Sequence, residues 1–493
     1  MMRVAYHVKR LQDGLQALMS IGEVASRDQW TPEKLQAFKQ ERLQDVVRHA
    51  ALNSPFYKKA FAHVDCGKPF LLDDLPVLSK ETMMDNFNQV VTDPRLNLAD
   101  IEDHLTQLEH DEYYLGKYRV LSTSGSSGLA GIFVYNRDEW IAVLTAMLRV
   151  GRYMNVTPRL PNRLKICTIG ANNPRHGTSR LPESMDFGLT VVKKLNATES
   201  IEYLVECLNE FQPEILFAYP SIGALLAMEQ MEGNLRISPR VMVISAEICT
   251  DDMKQKMESA WGVTPFNNYA MTEVPFLGVN CSHHQGVHIF EDLAIVEVVD
   301  EHNRRVPDGV LGHKILITNL FSYTQPLIRY EITDMVRISA ASCTCGRPFR
   351  LIEHIEGRCD DILEMEGIAS DSVQVHPLHF RSPLGALHEL RQYQVIHADD
   401  GLHLNLVLKK GHDKDTYAMM VESLIKDKME SLAVKCLPIY IHYVDRIERD
   451  EEHIGSKIKL IMKDVKTRKP ARMEPCAPGA AGDINRNQFQ QGV

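Results

Sequence analysis

The chain has 493 residues, 44% of them apolar and 24% charged, with 55 Lys and Arg against 65 Asp and Glu for a formal net charge of −10. That length allows about two to four domains, and the composition excludes peptide-sized modules, wholly disordered chains and fibrous repeats. The acidic balance argues against a nucleic-acid binder that works by neutralising phosphates.

Residues 1–20 carry charge at helical spacing instead of the apolar core of an export signal, and no apolar run is long enough for a membrane span, so neither is expected. Ten cysteines are too sparse for a disulfide scaffold and are expected to be reduced thiols in a cytoplasmic protein. Between Glu41 and Phe61, the apolar residues Leu43, Val46, Val47 and Ala50 fall on one helical face, and Asn53-Ser54-Pro55 stops that helix. From about residue 164, strand-like runs alternate with helical ones. They are Leu164 to Ile169, a helix from Glu199 to Asn209, Ile215 to Tyr219, a helix after Pro220, Val241 to Ser245, and a helix from Asp251 to Trp261. Such alternation predicts βαβ units around a parallel sheet.

Between about 286 and 340 the texture turns to closely spaced strands, Ala294 to Val299, His313 to Thr318 and Leu327 to Tyr330, which suits a more antiparallel subdomain. After Gly357 follow a strand from His403 to Leu408, a helix from Thr416 to Leu432 and a strand from Pro438 to Val444, a small α+β unit. Met419, Met420 and Met429 are expected to pack that unit, and the charge run Arg446 to Glu452 to be a solvated loop. From 467 to 493, Pro, Gly and Ala dominate and large apolar side chains are almost absent, so a disordered, dispensable tail is expected.

The most unusual local composition is Ser122, Thr123, Ser124, Gly125, Ser126, Ser127 and Gly128, directly after Val120-Leu121 and shortly before the apolar run Ile132 to Tyr135. Successive N–H groups and hydroxyls on a glycine-permitted turn can cradle phosphates. The competing reading is a flexible Ser/Gly linker, which the flanking strand-like runs weaken. No Gly-Lys-Ser/Thr ends the segment, so it is not a P-loop. A second constellation, Cys281 with His288 and Cys343 with Cys345, offers three thiols and an imidazole, a donor set suited to tetrahedral zinc. His283 and His284 compete with His288, and reduced buried thiols without metal are the alternative.

The Ser/Thr/Gly segment is followed by Tyr269-Ala270-Met271-Thr272-Glu273, Ile328-Arg329-Tyr330-Glu331-Ile332-Thr333-Asp334 and Gly357-Arg358-Cys359-Asp360-Asp361. Upstream stand Arg48-His49-Ala50, Asn53-Ser54-Pro55-Phe56-Tyr57 and Leu75-Pro76-Val77-Leu78-Ser79-Lys80. In this order the set resembles the adenylate-forming enzymes, in particular their phenylacetate-CoA ligase branch with the CapK-type and coenzyme F adenylyltransferase-like proteins. The resemblance spans roughly residues 40–465.

It implies an α/β fold: a large N-terminal α/β domain with a β subdomain over 1–359, a small mobile C-terminal α+β domain over 360–466 that turns about Asp360, and the tail. It also implies ATP-dependent activation of a carboxylic acid, an aryl acid being favoured, to an acyl-adenylate, then a thioester with coenzyme A. Transfer to an amine, hydroxyl or carrier protein is the alternative, as is a silent zinc-stabilised binding protein. ATP, Mg2+, coenzyme A and structural zinc would be the cofactors, and a homodimer is admitted.

By the same resemblance, the Ser122 to Gly128 loop would hold the β- and γ-phosphates and Ser245-Ala246-Glu247 would line the adenine pocket. Tyr269 would stack on adenine, Thr272 contact the α-phosphate and Glu273 ligate Mg2+. Asp334 would accept the ribose hydroxyls, and Arg358 donate on the ribose or α-phosphate side. Lys457, in Gly455-Ser456-Lys457-Ile458-Lys459, would be the adenylation lysine, with Lys459 as its competitor. Leu129-Ala130 departs from the pattern, since relatives often carry a lysine after the second glycine. The acid pocket is expected near Tyr219, Pro220 and Ser221 and just before Tyr269.

Overall fold

The computed structural model describes residues 2–123, 129–156, 163–171, 173–184, 190–385, 387, 389–409, 411, 413–449 and 457–463. Ser124, Gly125, Ser126, Ser127, Gly128, Gly455, Ser456 and the tail expected over 467–493 therefore lie outside the described residues.

A nine-stranded sheet organises the large unit. One half runs parallel in the order Thr190–Asn196, Leu164–Gly170, Ile215–Ala218, Val241–Ser245, Phe266–Tyr269. Chain order along the sheet is thus second, first, third, fourth, fifth, a doubly wound arrangement that gathers ligands beyond the carboxyl ends of its strands. The strands read as apolar runs because helices cover them. Leu216 and Met242 are fully buried against Leu204, Leu226 and Met257 from the helices Ile201–Phe211, Pro220–Met231 and Asp251–Trp261. Each helix starts where its sequence allows. The side chains of Ser200 and Thr250 cap two of them, and Pro220 occupies the first turn of the third, where its missing N–H costs nothing.

The antiparallel region follows the sequence expectation in part. Gly278–Asn280, Val287–Ile289, Leu351–Arg358 and Asp334–Ile338 extend the same large sheet. Ala294–Val299, Lys314–Asn319 and Tyr330–Ile332 make a separate three-stranded sheet. Leu327 to Arg329 is not strand. Arg329 sits at φ +48°, turning the chain just before the ladder, while its buried guanidinium pairs with Glu297. The helix ended by Ser54 is followed at once by another, because Ser54 caps the helix Pro55–Ala60 as well as ending Pro32–Asn53. Before them a helix spans Met2–Ser26.

The hairpin Arg119–Ser122 with Ile132–Tyr135 flanks the Ser/Gly loop. The C-terminal unit has its own core, from Leu363 to Ile461, on a four-stranded sheet backed by the helices Leu378–Gly385 and Lys414–Ser431. Met429 is buried there, whereas Met419 and Met420 face solvent: they lie on the side of the helix opposite the buried Tyr417, Val421 and Ile425. Among the described residues no helix is long and apolar enough to cross a membrane.

Candidate active site

The motif residues converge where the doubly wound geometry directs them. Gly170 and Ala171, Tyr219 to Ser221, Ser245 to Glu247 and Tyr269 to Glu273 all follow carboxyl ends of the parallel strands. Tyr219 fills space at this edge, its hydroxyl accepting from the Ala171 N–H at 3.0 Å. The Ser245 hydroxyl donates to the Asn268 carbonyl at 2.7 Å, tying two adjacent strand ends together.

Ser122 is buried and its N–H bonds the Arg175 carbonyl at 2.9 Å, while Thr123 Oγ1 accepts from the Gly131 N–H at 2.7 Å and closes the base of the loop. His176 stands beside it, its Nδ1 2.9 Å from the Ser122 carbonyl. The far end of the hairpin reaches the Thr-Glu motif: Tyr135 donates its hydroxyl to the carbonyls of Thr272 at 2.6 Å and Glu273 at 3.0 Å.

Asp334 is the polar centre. Tyr269 donates its hydroxyl to Oδ2 at 2.6 Å, and Arg358 Nε meets Oδ1 at 3.3 Å. Burial, reinforced by that carboxylate, drives the Tyr269 hydroxyl well above its ordinary range and keeps it a donor. Glu273 is only 5% exposed, and burial raises its carboxyl while Lys80 and Arg358 pull the other way. Lys80, from the N-terminal Leu75 to Lys80 motif, thus belongs to the neighbourhood of Glu273. It is carried there by the pairing of Leu78 with the chain at Arg329 to Glu331.

Lys457 comes from the C-terminal unit. Lost solvation first, then nearby Arg358, lowers its ammonium to about 8, and Glu247, Asp334 and Glu273 oppose that shift. Those neighbours place its charge at the same edge. Lys459 instead pairs with Asp361 at 2.6 Å, beside the turn Cys359–Asp361 that leads into the unit.

Glu247 does not present a bare carboxylate. Oε2 takes the Ser221 hydroxyl and the Ser221 N–H, the latter at 3.2 Å, and Oε1 takes Arg449 Nη1 at 3.3 Å and the Ile458 N–H at 2.8 Å. Arg449 corrects the expectation of a solvated loop over Arg446 to Glu452. Arg446 and Glu448 do pair in solvent, but Arg449 is buried against the large unit.

A second centre lies at the other end of the strand Phe266–Tyr269. Tyr269 pairs with Gly278, so Cys281 continues toward the start of Phe266, about 10 Å away along the strand. There Cys281, His288, Cys343 and Cys345 bring one ligand atom each to within 4.8 Å of all the others. Cys281 Sγ is 3.7 Å from Cys343 Sγ, and Cys345 Sγ is 3.4 Å from His288 Nε2. Tetrahedral zinc with bonds of about 2.3 Å sets sulfur atoms about 3.8 Å apart, so the donor set fits that ion. Burial drops the His288 imidazole to about 4, leaving it neutral, the form that ligates. The competitors are engaged elsewhere, His283 with Thr344 at 2.7 Å and His284 against the Phe266 ring at 4.7 Å.

No protein-family model matches the chain. It is 27% identical over 383 residues to the phenylacetate-coenzyme A ligase of Thermus thermophilus, an alignment covering 75% of this chain and 79% of that protein. In fold it is similar to a crystal structure of 2-hydroxyisobutyryl-CoA ligase in the postadenylation state in complex with R3-HIB-AMP. That likeness has TM-score 0.69 and 20% identity and covers 89% of this chain and 92% of that one. The same ligase in the thioesterification state, with 2-HIB-AMP and CoA, scores 0.55 at 18% identity over 89% and 91%.

Proposed function

We propose, on the premise that this chain belongs to the phenylacetate-CoA ligase-like branch of the adenylate-forming enzymes, that it is an AMP-forming acid-CoA ligase acting on an aryl acid. The single observation that carries this reading is the convergence of Lys457 from one unit with Asp334, Arg358 and Glu273 from the other.

In the first half-reaction a carboxylate oxygen of the acid bonds to the α-phosphorus of ATP, the bond to the bridging oxygen breaks, and pyrophosphate leaves. In the second, the thiol sulfur of coenzyme A bonds to the acyl carbon, AMP leaves with the carboxylate oxygen, and the thiol proton passes to solvent. Activation comes first because a free carboxylate has no good leaving group. Asp334 holds the ribose through its carboxylate oxygens, while Tyr269 and Arg358 fix its orientation. The Ser122–Thr123 end of the loop faces the phosphates, and Thr272 contacts the α-phosphate. Lys457 supplies positive charge where the phosphorus oxygens gain negative charge, as a preorganised donor in a site poor in water.

Glu273, a buried carboxylate flanked by cationic Lys80 and Arg358, would hold Mg2+, which neutralises the phosphates when bound. A zinc ion held by Cys281, His288, Cys343 and Cys345 would be structural, since four protein donors leave no open position. The thiols described are all free, in keeping with a cytoplasmic location.

The test is pyrophosphate exchange over a panel of carboxylic acids, with thioester formation measured for each acid accepted. Exchange with phenylacetate or another aryl acid, followed by coenzyme A thioester, supports the reading. A purified, folded protein that exchanges with no acid overturns it.

A further inference from the structure

Glu247 was expected to help line the adenine pocket, but its side chain is committed in another direction. Each carboxylate oxygen already receives two donors: Ser221 N–H and hydroxyl on one, Arg449 and the Ile458 N–H on the other. A carboxylate so saturated has no acceptor position left for a nucleotide or an acid. Two of the four donors come from the C-terminal unit, and one of these is the peptide N–H immediately after Lys457. Arg449 also donates Nη2 to the Ser221 hydroxyl at 2.6 Å, closing a ring of three side chains. The side chains of Arg449 and Glu247 are only 6% and 7% exposed, so neither is a casual surface charge.

The backbone supports the same point. Ala246, which aims the chain into Glu247, holds φ +71°, a left-handed conformation that costs a residue with a Cβ. Elsewhere the units also meet at Arg391, which pairs with Glu229. That contact lies on the helix Pro220–Met231 and touches none of the proposed reacting groups.

We infer that Ser221 and Glu247 form the receptor that docks the C-terminal unit for adenylation, that Arg449 is its key, and that Glu247 positions Lys457 by fixing the following peptide. This deepens the ligase reading and rests on it. Glu247, Ser221 and Arg449 are positioning residues: they touch neither acid nor ATP through their side chains. Forming the thioester requires no lysine at the phosphorus, so breaking the ring must harm the two half-reactions unequally.

The experiment compares Glu247→Gln, Arg449→Ala and Arg449→Lys with wild type, using phenylacetate as the probe acid for adenylation and phenylacetyl-adenylate with coenzyme A for the second step. Lys435→Ala, in an exposed ion pair within the C-terminal unit, is the control. Expected results for Glu247→Gln and Arg449→Ala are a 10- to 100-fold lower kcat for adenylation, KM for ATP and phenylacetate within about threefold, and an undiminished second step, on the scale of losing a charge-assisted hydrogen bond. Arg449→Lys should restore part of the loss because it keeps the charge. Small-angle scattering of the ATP-bound proteins should show the two units farther apart on average in Glu247→Gln than in wild type. Equal loss in both steps, no loss in either, or scattering identical to wild type overturns the receptor. Failure of the ligase reading is distinguishable: wild type would then react with no acid, while the scattering difference would still support the docking role.

Discussion

The two ends of the strand Phe266–Tyr269 solve opposite problems. At the amino end, Cys281, His288, Cys343 and Cys345 all belong to the large unit and bring their ligand atoms together there, so the four-donor set is complete without the C-terminal unit. At the carboxyl end, Asp334, Arg358 and Glu273 of the large unit share their surroundings with Lys457 of the C-terminal unit. The first arrangement is closed and suits a fixed ion. The second is assembled from two bodies, which on the ligase reading proposed above suits a cycle in which one group comes and goes.

The sharpest way to break this comparison is Lys457→Ala. It should cut adenylation by on the order of 10²- to 10³-fold, the scale of one preorganised donor to a developing oxyanion, and leave thiol transfer to supplied acyl-adenylate and metal content unchanged. Single-turnover measurement of each half-reaction checks it. Equal slowing of both, or the same selective loss from Lys459→Ala, would refute the assignment, and the pairing of Lys459 with Asp361 predicts otherwise.

Next in size, Glu273→Gln and Asp334→Asn should each weaken ATP-dependent exchange by about 10- to 100-fold with the fold intact, the cost of losing charged hydrogen-bonding partners. Exchange near wild-type rates in both would remove the active-site reading.

At the closed end, metal analysis should find about one zinc per chain in wild type and none in Cys343→Ser. Thermal unfolding should then shift down by several degrees while the distant carboxyl edge still binds ATP. Protein purified without chelators and free of zinc would end this prediction.

The smallest effect is graded with pH. Because Lys457 sits near 8, kcat/KM for adenylation should fall by no more than about tenfold per pH unit as pH rises through that value and the ammonium is lost. Stability has the opposite sign. Between about 8 and the ordinary lysine value the unfolded chain holds a proton that the folded chain has released, so this group's contribution rises with pH over that window. A pH profile flat from 7 to 10 would contradict it.

Much of the fold was legible because its signals are local. The parallel strands from Leu164, Ile215 and Val241 are apolar runs between amphipathic helices, and the capped helix starts are visible as Ser200, Thr250 and Pro220. The strand Thr190–Asn196 was not read, because an edge position lets Lys193 and Lys194 stand where a central strand would need apolar side chains. Gly278–Asn280 and Val287–Ile289 are three residues each, too short for any periodicity.

The cysteines of the cluster were legible from residue type, but the choice of His288 over His283 and His284 came only with the fold. Arg449 was not: its partner Glu247 is 202 positions away, and in a run of charges nothing marks the one that is buried. Tyr269 adds a hydrogen bond to Asp334 that the motif string does not reveal, since it depends on the fold bringing together side chains 65 positions apart.

The hydroxyl of Tyr135 grips the Thr272 and Glu273 carbonyls from the strand that leaves the Ser/Gly loop. The hairpin that carries Ser122 and Thr123 and the Thr272–Glu273 turn are therefore mounted on a single chassis, and their spacing is set when the large unit folds. On the ligase reading proposed above, the smaller unit then has only to bring a lysine to a bench that is already levelled, and can withdraw it without disturbing the vice.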